Sequence, residues 1–176
     1  MPVLGGTIEV VTDCIWGRIE LKQIDGSLLE PLEFFASTKP EESNLQVPNL
    51  LPSPERFTIW DVRLLFLLDG SPLSLKHSLW WNSLVELFIN KKQYVCIPSF
   101  LAADPVALCA YTKDELMSMP PDQRFTLIGK PIYLLDVPLT VEQGEFFSGR
   151  LQTRGTKIPD GKIEAMLILE GNRERG

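Results

Sequence analysis

The only histidine of the chain is followed within four residues by two adjacent tryptophans, in the segment LKHSLWWNSLVELFINKK. A histidine can serve as a general base when a hydroxyl, a thiol or a carboxylate lies within hydrogen-bond reach. The chain has no G-x-S-x-G nucleophile motif. Its thiols Cys96 and Cys109 stand in apolar segments, where cysteine is usually inert. We therefore expect His77 to be a core residue, with catalysis as the alternative.

Helical periodicity gives this segment a structural interpretation. If residues 77–90 form a helix, His77 lies at the centre of an apolar arc that also contains Trp80, Trp81 and Phe88. Burial should then keep the imidazole neutral. We interpret the tryptophans as core anchors. The alternative is a weak ligand pocket formed by His77, Trp81 and Phe88.

A group of carboxylates follows later in the chain. Paired carboxylates can act as acid and base or hold a hard cation. The group consists of Asp104, Asp114, Glu115 and Asp122. These residues stand at predicted helix starts and turns, where helix capping accounts for the presence of carboxylates. The chain also lacks zinc-ligand spacing, a phosphate-binding loop and a dinucleotide fingerprint. The sequence therefore predicts no metal and no cofactor.

Basic residues gather near the end of this acidic chain and form the best candidate for a binding site. We predict a closing hairpin that turns at Asp160–Gly161 and carries Arg150, Arg154, Lys157 and Lys162. In a strand, Arg150 and Arg154 point to the same face. Such a face could bind an anionic protein partner or, alternatively, nucleic acid through its phosphates. The structural alternative is a solvated edge that resists aggregation.

Residues 37–55 contain four prolines and little periodicity. This composition predicts a surface loop. Leu50 and Leu51 make the segment too apolar for a plain flexible linker. We expect a loop fixed to its own domain. The alternative is a docking segment for a partner, with Leu50 and Leu51 as contacts, because an extended proline-rich chain loses little entropy on binding.

Strand patterns dominate the rest of the chain. Residues 15–22 alternate apolar and polar side chains, and residues 56–70 read as a long strand that ends at Asp69–Gly70. A capping box at Thr112 and Glu115 predicts one short helix. The fold class is therefore α+β and mainly β. We expect a single domain over residues 1–176, built as an antiparallel barrel or sandwich with one central packed helix and one short helix.

The bulk composition restricts the function. The chain has 176 residues, a net charge of −6 and three cysteines without paired spacing. These features favour a cytoplasmic protein with reduced thiols and disfavour broad nucleic-acid binding. The longest apolar run is too short to span a membrane. We expect a non-enzymatic interaction or assembly module that binds a protein partner, and a homo-oligomer is compatible with this. The alternative is an enzyme of unrecognised type, a hydrolase or a nucleic-acid-processing factor, whose basic hairpin contacts an anionic substrate.

Overall fold

Two antiparallel sheets form the scaffold in the computed structural model, which describes residues 9–24, 27–28, 32–52, 54–104, 133–154, 158 and 160–175. Within that part of the chain, sheet one has five strands: β1 (Glu9–Leu21), β5 (Glu55–Leu68), β6 (Ser71–Pro72), β9 (Tyr133–Val141) and β11 (Ile163–Arg175). Sheet two has four: β4 (Leu32–Phe34), β7 (Ser83–Ile89), β8 (Lys92–Pro98) and β10 (Phe147–Thr153).

Short elements complete the architecture. The strands β2 (Gln23–Ile24) and β3 (Ser27–Leu28) pair as a small antiparallel ribbon. Helix α1 is a single turn over Ser78–Trp81, and a 3-10 helix covers Ser99–Ala102. The protein is therefore mainly β, and the two large sheets do not close into a barrel but give a sandwich-like fold. No helix among these residues has the length and apolar character needed to cross a membrane.

Strand β11 organises sheet one. It pairs with β1 on one side and with β5 on the other, and the strand order is β1–β11–β5–β6, with β9 also paired to β5. A bulge between Glu170 and Gly171 shifts the register, so that Glu170 faces Asp61 and Gly171 faces Ile59. A Cβ at Gly171 would overlap the carbonyl oxygen of Thr58. The bulge therefore requires glycine at this position.

The core lies between the inner faces of the two sheets. Fully buried aromatics come from both sides, and they include Phe57 and Phe66 on β5, Phe34 on β4 and Phe147 on β10. The neighbouring Phe35 packs 5.4 Å from Phe147, measured between ring centroids. Burial of such side chains stabilises a fold by roughly 25 cal/mol per Å² of apolar surface. This core holds the two sheets together.

The predicted strands with clear patterns are confirmed. In β1, Ile15, Gly17 and Leu21 are buried as period-two alternation requires. Strand β5 ends at Leu68, and Asp69 and Gly70 follow with positive φ values of 49° and 81°. These two residues make the turn that the Asp–Gly pair predicts.

The predicted helix over residues 77–90 is wrong. Helix α1 ends at Trp81, and β7 follows from Ser83 to Ile89. The inward side chains of β7 alternate along the strand and include Val85 and Leu87, which are both fully buried. A short apolar run satisfies the helical and the extended period equally well. Pairing of β7 with β8 and β10 selects the strand.

The predicted closing hairpin is also wrong. Strand β10 pairs with β4 and β7 in sheet two, whereas β11 pairs with β1 and β5 in sheet one. The connection at Asp160–Gly161 therefore crosses from one sheet to the other. Arg150 consequently lies in sheet two, whereas Lys162 directly precedes β11 of sheet one. Lys157 and the short helix predicted after Thr112 lie outside the described residues.

The described part of the proline-rich segment is fixed along the outer edge of β1. The backbone N–H of Arg18 donates to the carbonyl of Glu42, and the Asn44 side chain bonds the backbone of Trp16 and Cys14 at 2.9 and 2.8 Å. These bonds satisfy strand groups that would otherwise template aggregation. Through these bonds the segment covers the outer edge of sheet one.

Candidate binding surfaces

Among the residues that the structure describes, a tryptophan is the most exposed aromatic side chain. Trp81 ends helix α1 and is 58% exposed. Its ring stacks on Phe100 of the 3-10 helix, with centroids 4.4 Å apart and an angle of 23° between the planes. The indole Nε1–H donates to the carbonyl of Leu75 at 2.8 Å. We call this stacked pair, Trp81 and Phe100, the aromatic platform.

The local sequence explains why only one tryptophan is exposed. Adjacent residues on a helical turn diverge by about 100°. Trp80 therefore points into the core, where it is fully buried and meets Phe66 edge to face at 4.5 Å. Its Nε1–H donates to the carbonyl of Leu73 at 3.2 Å. The prediction that Trp81 is also a core anchor is wrong, because a single turn cannot bury both rings on one side.

His77 caps the turn that carries the platform. Its Nδ1 accepts a hydrogen bond from the backbone N–H of Leu79 at 3.1 Å. The ring is half-buried rather than at the centre of a buried stripe. Burial lowers the pKa of His77, which favours the neutral ring that the cap requires. The third member of the predicted pocket, Phe88, lies on β7 and takes part in a different surface.

The backbone of Arg154 is bonded to the residue that follows the aromatic platform in the sequence. Its backbone N–H donates to the carbonyl of Asn82 at 2.9 Å, and Asn82 directly follows Trp81. The Arg154 side chain is exposed. The pairing of β10 with β7 thus brings the backbone of Arg154 to the end of the turn that carries Trp81, although the sequence treats the two residues as unrelated candidates.

The side chain of Arg150 contacts two neighbouring side chains on the outer face of sheet two. Its guanidinium contacts Glu33 of β4 at 3.0 Å and lies 5.0 Å from the centroid of the Phe88 ring. Phe88 therefore supports a cation rather than a pocket beside His77. An ion pair and a cation–π contact together hold Arg150 against the sheet.

A buried glutamate on the same face is absent from the predicted site residues. Glu86 is only 6% exposed and accepts hydrogen bonds from the side-chain amides of Gln93 at 2.6 Å and Gln152 at 2.9 Å. The helical interpretation places Glu86 on the wet side. In β7, Glu86 stands between the apolar residues Val85 and Leu87. This alternation is the sequence signal that its side chain points away from the core.

A charged cleft lies where the edge of β1 meets β4 and the segment after it. Its volume is about 560 Å³. The lining residues are Arg18, Ile19, Glu20, Lys22, Leu32, Glu33, Phe35, Ala36, Ser37, Glu41, Glu42, Lys162 and Glu164. We call it the β1–β4 cleft. Lys162, one of the predicted contact residues, forms part of it and contacts Glu164 at 3.0 Å.

Of the two leucines proposed for docking, Leu51 is 5% exposed and packs in the core, while Leu50 is half-buried. Leu51 therefore stabilises the loop and offers little surface to a partner. This corrects the docking interpretation at that residue.

An ionic cluster that is absent from the predicted site residues lies on the outer face of sheet one. Arg63 contacts Asp61 at 2.8 Å, Glu170, and Asp104 at 3.9 Å. Asp61 is 1% exposed, and its Oδ1 has no hydrogen-bond partner. Burial raises the pKa of the Asp61 carboxyl, and this effect outweighs the opposing effect of Arg63. The spacing of Asp61 and Arg63, two residues apart in an apolar strand, is the signal that places both on one face.

These clusters do not form a recognised metal site. Across the ranges given above for the structure, no group of three or more His, Cys, Asp or Glu residues is placed to hold a metal ion. Asp104 lies beside Arg63, whereas Asp114, Glu115 and Asp122 lie outside those ranges.

Comparison with known proteins gives no match. No family model, no curated protein and no solved structure is similar enough to the chain to be matched.

Proposed function

We propose that this protein is a non-enzymatic interaction module that binds a protein partner through the aromatic platform. The observation that carries the proposal is the exposed, fixed ring of Trp81. Tryptophan and arginine are the residue types most enriched at the energetic centres of protein interfaces. Trp81 supplies the first, and the exposed Arg154, whose backbone is bonded to the residue after Trp81, supplies the second.

Preorganisation supports the proposal. The indole is held by the Leu75 carbonyl on one edge and by the Phe100 ring on one face. A side chain that is already fixed loses little rotamer entropy when it is covered, so more of the contact energy appears as affinity. A ring exposed only by chance would have no need of two supporting contacts.

A protein is favoured over nucleic acid as the partner. The net charge of −6 produces an unfavourable long-range field for phosphates. Arg150, one of the basic residues predicted to contact an anion, already contacts Glu33. The cytosol is the compartment we propose, since Cys14 and Cys96 are free thiols and such thiols persist under reducing conditions.

Affinity capture from lysate of the source cells tests the proposal with three baits: the parent chain, Trp81→Ala and Tyr94→Ala. Tyr94 is 45% exposed on β8 and serves as the matched exposed aromatic. Truncation of an interface centre costs about 2 kcal/mol or more, which is roughly a 30-fold loss of affinity. We expect Trp81→Ala to lose a protein that the parent and Tyr94→Ala retain after nuclease treatment.

Equal capture by all three baits would contradict the proposal. Loss of the partner on nuclease treatment would instead support the nucleic-acid alternative. Melting curves of the baits show whether each is folded, so a loss of capture can be assigned to the surface.

A further inference from the structure

The β1–β4 cleft has an apolar floor. Ile19, Leu32, Phe35 and Ala36 line it, and Leu32 and Phe35 are themselves almost fully buried, at 8% and 2% exposed. A floor of this kind can pack against the apolar stem of a bound side chain. The volume of about 560 Å³ lies within the range of roughly 300–1,000 Å³ that ligand pockets occupy.

The wall from sheet one carries a surplus positive charge. It contributes three cations, Arg18, Lys22 and Lys162, and two carboxylates, Glu20 and Glu164. Glu164 serves two of these cations: Lys162 at 3.0 Å and Arg18 at 3.8 Å. The Arg18 pair is long, and the buried Nε of Arg18 has no hydrogen-bond acceptor. Arg18, whose side chain is 33% exposed, can therefore accept another carboxylate without first losing a close ion pair.

The opposite wall carries a surplus negative charge. It comes from β4 and the segment after it, and it contains Glu33, which contacts Arg150 at 3.0 Å, together with Glu41 and Glu42. Glu42 forms an ion pair with Lys39 at 2.9 Å, and its hydrogen bonds with Ser37 and Lys39 lower its pKa. The contact with Lys39 offsets the charge of Glu42, and the contact with Arg150 offsets the charge of Glu33. Glu41, which is exposed, adds the remaining negative charge at the rim.

We propose that the β1–β4 cleft binds a peptide segment that carries one acidic and one basic side chain. The acidic side chain faces Arg18 and Lys162, and the basic side chain faces Glu41. The apolar stem of the basic residue lies on the floor. This inference rests on the proposed function, because such a segment belongs to a protein partner. The cleft then defines a charge pattern that the partner must carry, and it is a second contact region besides the aromatic platform.

Opposite surplus charges on the two walls give the cleft its selectivity. A segment with two acids would meet Glu41 with a like charge, and a segment with two bases would meet Arg18 and Lys162. Like charges placed together cost energy, so either uniform segment binds more weakly than the mixed one. Because the cleft is open to solvent, added salt should weaken the attraction.

The test uses three blocked tripeptides as probes of the full chain: acetyl-Glu-Ala-Lys-amide, acetyl-Lys-Ala-Lys-amide and acetyl-Glu-Ala-Glu-amide. Nuclear magnetic resonance titration measures the affinity of each and the amides that shift. We expect the mixed peptide to bind at least tenfold more tightly than either uniform peptide. The shifts should concentrate at Arg18, Ile19 and Ala36.

Variants assign the binding to the two walls. Arg18→Gln and Glu41→Gln should each weaken the mixed peptide about tenfold, whereas the control Glu9→Gln, an exposed glutamate at the far end of β1, should not. Equal affinity for all three peptides, or no saturable shift up to millimolar concentration, overturns the inference. Trp81→Ala should leave peptide binding unchanged. Failure of the peptides alongside Trp81-dependent capture would therefore reject the cleft and not the platform.

Discussion

Trp80 and Trp81 are neighbours in the sequence, yet Trp80 is fully buried against Phe66 and Trp81 is 58% exposed on top of Phe100. Both indole N–H groups are satisfied by backbone carbonyls of the preceding segment, at Leu73 and Leu75. One tryptophan thus anchors the single turn of helix α1, and the other presents a fixed apolar surface to solvent.

Replacing each of the two tryptophans by alanine should lower the stability of the protein by different amounts. Trp80→Ala removes a buried aromatic and should cost about 3–5 kcal/mol of unfolding free energy. Trp81→Ala removes the stacking contact with Phe100 and the hydrogen bond to the Leu75 carbonyl, and it should cost about 1–2 kcal/mol. Chemical denaturation of both variants measures the difference. A Trp81 variant as unstable as the Trp80 variant would show that the platform is part of the core.

His77 should titrate below the ordinary histidine value of about 6.5. Burial lowers its pKa, and protonation of Nδ1 would remove the acceptor that caps helix α1. The contribution of the neutral His77 cap to the stability of the fold is therefore fully present above the unfolded pKa, and it is lost as the pH falls through the folded pKa. The chain has a single histidine, so its ring resonance is unambiguous. A midpoint at or above 6.5 would contradict this placement.

Asp61→Asn should stabilise the protein at neutral pH. Burial raises the folded pKa of Asp61 above the ordinary value of about 3.9, so the ionised form is less favourable in the folded than in the unfolded chain. The contribution of protonated Asp61 to the stability of the fold is fully present below the unfolded pKa and is lost as the pH rises through the folded pKa. Melting temperatures from pH 4 to 8 should show an advantage for the variant that shrinks on acidification.

The exposed Asp160→Asn serves as the control for this titration. An Asp61→Asn variant that melts well below the parent at pH 7 would mean that the contact with Arg63 outweighs the cost of burying the carboxylate.

Gly171→Ala should destabilise the fold by more than Gly144→Ala. At Gly171 the new methyl group would overlap backbone atoms of Thr58 at the bulge, so β5 or β11 must shift. Gly144 has a φ of 76° but no neighbour within 4 Å, so alanine there costs only about 1–2 kcal/mol of backbone strain. Thermal melts compare the two. Equal melting temperatures would show that the bulge can relax at no cost.

Local patterns in the sequence predict much of sheet one and little of the binding surface. Strand β1 is predictable because its alternation is regular, and β5 because an Asp–Gly pair ends it. Strand β7 is not, because its apolar residues fit both periods and the decision comes from partners far along the chain. For the same reason the meeting of Arg154 with the Trp81 turn depends on the pairing of β10 with β7, which no local pattern encodes.

Site-specific photo-crosslinking tests the central claim most directly. A photoreactive amino acid replaces Ser78, which is exposed in the same turn as Trp81, or Val137, which is 73% exposed on β9. The proposed function predicts a crosslinked protein from position 78 that disappears in the Trp81→Ala background and is absent at position 137. Equal crosslinking at both positions, or a product at position 78 that is unaffected by Trp81→Ala, would contradict it.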